Sequence, residues 1–393
     1  MSGIVLSASV RQNLLSLQST ADLLSTTQNR LATGKKVNTA LDNPTNFFTA
    51  AALDNRANDL NNLLDGIGNG VQVLQAANTG ISSLQKLVDT AKSIAQQVLQ
   101  APVGYSTKAS QTSLANAGGT SANLLGAALA QSDILTIAAT GGGTASTITF
   151  GTGAAEVDTL AELNAALAAN NLQASVDDTT GKITITTTND AASATIGAFG
   201  GTATAGVKAF STLVTVAKVA DVGSQTTRAN LVSQYNNIIA QITTTAQDAS
   251  FNGINLLNGD NLKLTFNENG KSTLNISGVS YNAAGLGLAA VVAGTDFLDS
   301  GSANATIAKI TTASNALRSQ ASTLGSNLSI VQIRQDFSKN LINVLQTGSS
   351  NLTLADTNEE AANSQALSTR QSIAVSALAL ANQSQQSVLQ LLR

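Results

Sequence analysis

Side chains that could perform acid–base or nucleophilic chemistry are scarce in this chain of 393 residues. It contains no Cys and no His, which removes thiol nucleophiles, imidazole bases, disulfides and zinc sites built from the usual ligands. Asp177 and Asp178 form an adjacent carboxylate pair, but Thr179, Thr180 and Gly181 follow them, and this composition is typical of a turn. We therefore predict no enzymatic activity, no metal site and no cofactor.

The composition also bears on the partners of the protein. Charged residues make up only 11% of the chain and the net charge is −3, so there is no basic field to attract nucleic acid or an anionic membrane surface. No run of about 18 apolar residues occurs, and the N-terminus lacks the basic and apolar regions of a cleaved signal peptide. We expect no nucleic-acid binding and no membrane insertion. Composition leaves two compartments open, the cytoplasm and the exterior reached without a cleaved signal.

The strongest pattern in the chain is a pair of apolar heptads, one near each end. Steps of four and three residues predict helices that pack lengthwise on other helices. Neither stripe has a partner in its own neighbourhood, so we expect the two ends to pair and the protein to self-assemble, with Leu15 and Leu23 offering further contacts. The predicted self-assembly seam consists of Val10, Leu14, Leu17, Leu24, Leu31, Leu367, Leu378, Val388 and Leu392.

Between the two ends, the sequence divides into predicted helical segments and a distinct insert. Residues 44–102 read as a long helix that starts at Asn43-Pro44 and ends at Pro102, with a bend or break expected around residues 65–70, where glycines weaken it. Residues 107–223 are rich in Ala, Thr, Gly and Ser and predict a small ββαββ domain rather than a low-complexity linker. Beyond them we predict a further helix, a hairpin around Asn269-Gly270 and a long heptad from Ile307 to Leu345. The predicted fold class is α+β, mainly α.

Three sets of residues form recognisable motifs: Arg30 to Gly34 with Asn38, Ala40 and Asp42; Phe251 to Gly253 with Leu256 and Leu257; and Ala381 to Gln383 with Gln386, Val388, Leu389 and Leu391 to Arg393. These sets resemble the motifs of bacterial flagellin, the subunit of the flagellar filament. The resemblance spans roughly residues 1–106 and 224–393 and leaves the intervening module as a variable insert.

The resemblance implies an architecture and a function. Residues 1–34 and 364–393 would form inner filament-core helices. Residues 35–106, 224–290 and 300–363 would form a helical tube domain with the β-hairpin, and residues 107–223 an outward-facing insert. The protein would be secreted unfolded through the flagellar type III export apparatus with a chaperone, and would polymerise into an extracellular filament for swimming motility. Its partners would be other copies of itself and the hook-filament junction and cap proteins.

Two further sets of site residues depend on that architecture. Polar residues on the last helix are predicted to line a central channel: Asn382, Gln383, Gln386 and Gln390. If the terminal helices run antiparallel with level ends, Lys35 and Lys36 lie beside Glu359 and Glu360, and we expect this charge cluster to align the joint between core and tube.

Two alternative functions remain open from the sequence. Hook-filament junction proteins share the terminal pattern, and a surface adhesin would act through residues 107–223. An enzymatic insert of the zinc-protease kind would need histidines, which this chain lacks.

Overall fold

The computed structural model describes residues 8–391, and for residue 385 and residues 388–391 it describes the backbone alone. Within that range the helices are α1 (Ala8–Thr33), α2 (Pro44–Gln100), α3 (Leu160–Ala168), α4 (Val222–Asp248), α5 (Ser300–Thr353) and α6 (Thr357–Leu391). The strands are β1 (Tyr105–Thr107), β2 (Ser110–Thr112), β3 (Ile134–Ile137), β4 (Ser146–Thr149), β5 (Leu172–Asp177), β6 (Lys182–Thr187), β7 (Phe199–Gly200), β8 (Val214–Val216), β9 (Val219–Ala220), β10 (Leu262–Thr265) and β11 (Thr273–Ile276). The predicted α+β, mainly α fold class is confirmed.

These elements form two compact units. The first comprises the residues up to Gly70, residues 263–274 and the residues from Ile330 onward. The second comprises residues 71–262 and 275–329 and contains the whole insert. The predicted division into core helices, tube and insert follows other boundaries and stays a prediction.

The first unit holds its long helices together through leucine-rich stripes. Ala57 and Leu60 of α2 pack with Ile342 and Leu345 of α5 in one buried cluster, because residues three or four apart on a helix share a face. The start of α2 is the predicted one: the backbone N–H of Asn46 donates to Asn43 Oδ1 at 3.0 Å and caps the helix.

The glycines in the middle of α2 do not interrupt it. The helix is continuous through Gly66, Gly68 and Gly70, so the expected break is absent, and the alternative expectation of a bend stays a prediction. The reason is close packing of the backbone. A Cβ on Gly70 would lie 2.4 Å from Leu264 Cδ2, and a Cβ on Gly80 would lie 2.6 Å from the Cβ of Ala249. These two glycines leave room for neighbouring side chains, and the contacts offset the weak helix propensity of glycine.

This packing predicts opposite effects for two similar substitutions in α2. Gly80→Ala should destabilise the protein by about 1 to 3 kcal/mol, because the new methyl group overlaps Ala249 and Leu257. Gly66→Ala is the matched control, since a Cβ there meets no atom within 4 Å, and it should stabilise by about 0.5 to 1 kcal/mol. Thermal unfolding of the purified subunits measures both. Equal shifts in the same direction would show that propensity rather than packing governs these positions.

The insert within the second unit folds around two sheets. Strand β3 lies between β4 and β7 in one sheet, and the other has the order β5-β6-β2-β8. The predicted ββαββ series is confirmed as β3, β4, α3, β5 and β6. Prediction missed the strands β1, β2, β7, β8 and β9, because they are only two or three residues long, which is too short to show an alternating pattern.

The insert has its own hydrophobic core, to which both sheets and α3 contribute. Its fully buried members include Leu135, Phe150, Leu163 and Ile183. The side chain of buried Asn116 forms hydrogen bonds with backbone groups of the neighbouring loop: its Nδ2 donates to the Leu124 carbonyl and its Oδ1 accepts from the Ala128 N–H, each at 2.8 Å. A segment with a dedicated hydrophobic core is a folded domain, not a low-complexity linker.

The predicted β-hairpin is confirmed, with a longer turn than a two-residue loop. Strands β10 and β11 pair with each other, and the Phe266 N–H donates to the Ser272 carbonyl at 2.8 Å across the turn. Asn269 Oδ1 accepts from the Lys271 N–H at 3.1 Å, and Gly270 has φ of 69°, a conformation that favours glycine.

One buried cation ties together the segments of the second unit that flank the insert. Arg228, on α4, is 1% exposed, and its guanidinium donates to the carbonyls of Pro102 at 2.6 Å, Ala101 at 2.8 Å, and Phe297 and Asp299. Burial lowers the pKa of this guanidinium, and the nearby Asp299 carboxylate opposes that shift. Arg228 thus joins the end of α2 to the residues that precede α5.

Candidate assembly interface

The two terminal helices, α1 and α6, pack along each other in the first unit. They run antiparallel, since Arg30 in the last turn of α1 contacts Glu360 in the first turn of α6. The pairing of the chain ends expected from the heptads is thus present within one chain. Each helix is covered by the other along only one stripe. The exposed faces of the two helices therefore determine what else the pair can contact.

On α6 the covered stripe coincides with the predicted heptad. Leu367 and Leu378 are half-buried, and so are Gln371, Ala374 and Ala381 between and beyond them. Val388 and Leu392, which continue the predicted seam, lie outside the residues whose side chains are described.

On α1 the covered stripe differs from the predicted heptad at alternate positions. Val10 is buried and Leu17 and Leu24 are half-buried, but Leu14 and Leu31 are exposed, at 37% and 39%. Two threonines, Thr20 and Thr27, are buried in this chain instead. A threonine is tolerated there because the Thr20 hydroxyl donates to the Ser16 carbonyl at 2.8 Å, which satisfies its donor. The intrachain contact therefore leaves Leu14 and Leu31 available to other surfaces.

Five further apolar side chains of this helix pair are more than half exposed. Large apolar side chains favour burial, and several of them exposed on one helix pair indicate sites of protein–protein contact. They are Leu15 and Leu23 on α1, and Ile373, Val375 and Leu380 on α6.

The polar positions near the end of α6 follow its exposed apolar residues along the chain. Asn382, Gln383 and Gln386 are exposed to solvent. The side chain of Gln390 is outside the described residues. Between Ser364 and Gln386 the only charged residue is Arg370, so this surface is polar and nearly uncharged.

The joint after α1 is held by backbone pairing and one partly buried ion pair. Lys35 pairs with Leu354 in an antiparallel bridge, and the Lys36 N–H donates to the Thr353 carbonyl at 2.8 Å. The assumption of level helix ends was wrong here, because it placed Glu359, five residues later, beside Lys35. Contacts along the helices set the register, and nothing requires the chain ends to coincide.

The ion pair at the joint is formed by Arg30, which was not among the residues predicted to align the joint, and by Glu360, which was. Glu360 is 8% exposed, and its Oε1 lies 3.2 Å from Arg30 Nη1. Glu359 is exposed, and Lys35 and Lys36 expose their side chains as well. Arg30 is the basic residue in the last turn of α1, and this placement near a helix C-terminus was the available signal.

The turn after the joint explains two residues of the N-terminal motif. Asp42 Oδ2 accepts from the N–H groups of Asn38 at 2.9 Å and Thr39 at 2.8 Å, and these backbone hydrogen bonds lower the pKa of the Asp42 carboxyl. The Asn38 amide in turn donates to Thr33 Oγ1 at 2.9 Å. Both side chains thus fix the path from α1 to α2 rather than forming a reactive site.

Neither a metal-binding constellation nor a membrane-spanning helix is found among the described residues. No group of three or more carboxylates there is arranged to hold a metal ion. None of the helices in that part of the chain is both long and apolar enough to cross a bilayer.

The fold is that of a helical protein whose paired terminal helices, within the described residues, leave large apolar side chains exposed. Comparison with known families adds a match at each end. A family model described as the bacterial flagellin N-terminal helical region matches residues 5–117, and one described as the bacterial flagellin C-terminal helical region matches residues 307–392. The chain belongs to the bacterial flagellin family.

Curated relatives agree with this assignment. Flagellin FljM of Caulobacter vibrioides is 33% identical over 164 residues, which cover 42% of this chain and 59% of FljM. Flagellin FljK of the same organism is 32% identical over the same shares of the two chains. Flagellin A of Rhizobium meliloti is 38% identical over 93 residues, 24% of each chain. The match thus spans 59% of the length of the two Caulobacter relatives.

Proposed function

We propose that this chain is a structural subunit that polymerises into the bacterial flagellar filament and so supports swimming motility. The observation that carries the proposal is the set of exposed apolar side chains on the α1–α6 pair, Leu15, Leu23, Ile373, Val375 and Leu380. Such side chains are expected to be removed from water by neighbouring copies. Membership of the flagellin family supports the same assembly.

Within this proposal the terminal helices divide their surfaces between three environments. The seam positions Leu17, Leu24, Leu367 and Leu378 join α1 to α6, while exposed Leu14 and Leu31 add to the surface offered to neighbours. The uncharged polar surface with Asn382, Gln383 and Gln386 lines the central channel, and Gln390 continues it. A neutral wall would retain neither charged nor apolar segments of an unfolded subunit in transit.

The joint is proposed to align core and tube in every subunit. Arg30 and Glu360 form its partly buried pair, and Lys35, Lys36 and Glu359 surround it with exposed charge. Exposed pairs contribute only about 0 to 1 kcal/mol, so the backbone pairing of residues 34–37 with residues 353–355 supplies the main constraint.

The remaining roles follow from the family and from the separate core of the insert. We propose that residues 107–223 face outward from the filament, that the subunit is exported by the flagellar type III apparatus with a chaperone, and that it acts outside the cell. Junction and cap proteins would contact it at the filament ends. The protein would act without catalysis.

Polymerisation of the purified chain tests the proposal. Subunits mixed with sheared filament seeds should form sedimentable filaments in which this chain is the repeating protein, present in thousands of copies. A chain confined to tens of copies at the filament base would instead be a hook-filament junction protein. A soluble, folded chain that never extends seeds would contradict the polymer function.

Removal of the insert gives a second prediction. Strands β1 and β9 pair antiparallel, with Tyr105 opposite Ala220, so residues 108–218 can be replaced by a short glycine-containing turn that closes this hairpin. The shortened chain should still polymerise, into thinner filaments that support motility. The control is the full chain measured in parallel by electron microscopy and swimming assays. A shortened chain with native helix content that cannot polymerise would show that the insert belongs to the assembly machinery.

A further inference from the structure

The insert is joined to the helices of the second unit through a narrow base. Strands β1 and β9 form a two-stranded ribbon there, with an irregular register between Tyr105 and Thr107 and mostly exposed residues. The residues of the hydrophobic core of the insert all lie between 124 and 213, so none comes from α2, α4 or α5. An isolated two-stranded ribbon is marginally stable. The ribbon alone would therefore leave the insert free to pivot.

A second attachment lies between the insert and the start of α5. The Ser193 hydroxyl donates to Asp299 Oδ2, and the side-chain amide of Asn304 donates to Asp190 Oδ1 at 3.4 Å. Within residues 8–391, and apart from the ribbon, these are the only two hydrogen bonds between residues 108–218 and the rest of the chain. The second attachment is thus small and polar.

The two backbones approach each other closely at the same place. A Cβ on Gly301, at the start of α5, would overlap the carbonyl oxygen of Asp190 and would lie 3.6 Å from its Cα. A larger residue at position 301 would have to push the two segments apart. Glycine at this position is therefore required by the contact between the insert and α5.

Asp299 connects this attachment to the framework of the second unit. It is 9% exposed, and its Oδ1 accepts from the Ser302 N–H at 2.9 Å, which caps α5. Its backbone carbonyl accepts from Arg228, which also binds the end of α2. Separation from Ser193 would remove a hydrogen-bond donor from a buried carboxylate, and such a loss is costly. The closed contact is therefore favoured.

Lys218 links the ribbon to the same contact. Its Nζ donates to the Ser193 carbonyl and lies 5.2 Å from the centre of the Tyr105 ring in β1, a distance at which a cation is attracted to an aromatic face. Ser193 thus contacts α5 through its hydroxyl and the ribbon through Lys218. Rotation of the insert about the ribbon would separate Ser193 from Asp299.

We propose that residues 190–193 and residues 299–304 form a latch that holds the insert in one orientation, with the β1–β9 ribbon as its hinge. The latch consists of hydrogen bonds and one close glycine contact rather than a shared hydrophobic core, so it can open without unfolding the insert or the helices. While it is closed, the insert projects from the subunit in one fixed direction. The latch is a property of the single subunit and does not depend on polymerisation.

The distance between two spin labels tests the latch. The chain contains no Cys, so Ala165→Cys on α3 and Ser233→Cys on α4, both at exposed positions, give a unique pair of labelling sites on the monomeric subunit. This pair should give one narrow distance distribution by double electron–electron resonance. Addition of Ser193→Ala and Gly301→Ala should abolish the narrow peak and leave a broad distribution, because the insert then pivots on the ribbon.

Gly325→Ala is the matched control, since it lies on the same helix and a Cβ there meets no atom within 4 Å. It should keep the narrow peak. Circular dichroism checks the folding of each variant. If Gly301→Ala unfolds the insert, the combination of Ser193→Ala and Asn304→Ala, which removes only the two hydrogen bonds, should still broaden the distribution. An unchanged narrow peak in the folded latch variants would overturn the proposal, and so would a broad distribution in the labelled chain without them.

Discussion

Replacing Leu17 or Leu378 with Asp should abolish filaments while leaving a soluble subunit that is still exported. Both leucines are half-buried between α1 and α6, and a carboxylate there has no positive partner in the seam. An uncompensated buried charge costs about 3 to 5 kcal/mol. At tenfold per 1.4 kcal/mol, this raises the critical concentration about 100-fold or more. Sedimentation of purified subunits over a concentration series measures the effect.

The matched controls are Leu17→Met and Leu378→Met, which keep the volume and the apolar character of each site. They should polymerise within a few-fold of the unmodified chain. Normal filaments from either Asp variant would remove that helix from the assembly seam. Loss of export would instead indicate that the substitution acts before assembly.

The second large effect is expected in the second unit, where Arg228→Met should lower stability by about 3 to 5 kcal/mol. Methionine fills a similar volume but donates no hydrogen bond, so the carbonyls of Ala101, Pro102, Phe297 and Asp299 lose a buried donor. Each buried acceptor left without a partner costs about 1 to 3 kcal/mol, and water reaching this site would recover part of that. Thermal unfolding of the monomeric subunit measures the loss.

Arg318→Met is the control for this prediction. Arg318 is exposed on α5 of the same unit, and its replacement should change stability by less than about 0.5 kcal/mol. Similar unfolding curves for the two variants would show that the buried guanidinium is not a structural centre. A selective loss for Arg228→Met would support its role in joining the segments that flank the insert.

The elements that could be predicted from the sequence are those with a strong local signal. The cap at Asn43, the heptad from Leu367 to Ala381 and the paired strands around residues 134–149 and 172–187 each combine several residues in one pattern. Local patterns of this kind specify helices and strands without information about distant contacts.

Features that depend on distant partners could not be predicted in this way. Gly70 and Gly80 read as weak points of α2, because their close neighbours, Leu264 and Ala249, come from remote parts of the sequence. The register of the joint was missed by five residues for the same reason. On α1 the heptad containing Leu14 is stronger by composition than the one containing Thr20, yet the latter is covered within the chain.

The burial of the threonine-containing stripe of α1, rather than the predicted leucine stripe, has a physical basis. A subunit with a self-assembly seam must divide its apolar side chains between its own helices and those of its neighbours, and composition does not say which stripe serves which purpose. The pairing with α6 uses the threonine-containing stripe and leaves Leu14, Leu15 and Leu23 exposed. Strong apolar residues are thereby kept for contacts that one chain alone cannot make.

A cryo-EM reconstruction of filaments grown from the purified chain would show directly which surfaces join the subunits. We expect that α1 and α6 form the innermost layers of the filament, that Leu15, Leu23, Ile373 and Leu380 are covered by neighbouring copies, and that the insert lies outside. A filament in which these four side chains remain in solvent, with subunits joined through the insert instead, would contradict this expectation.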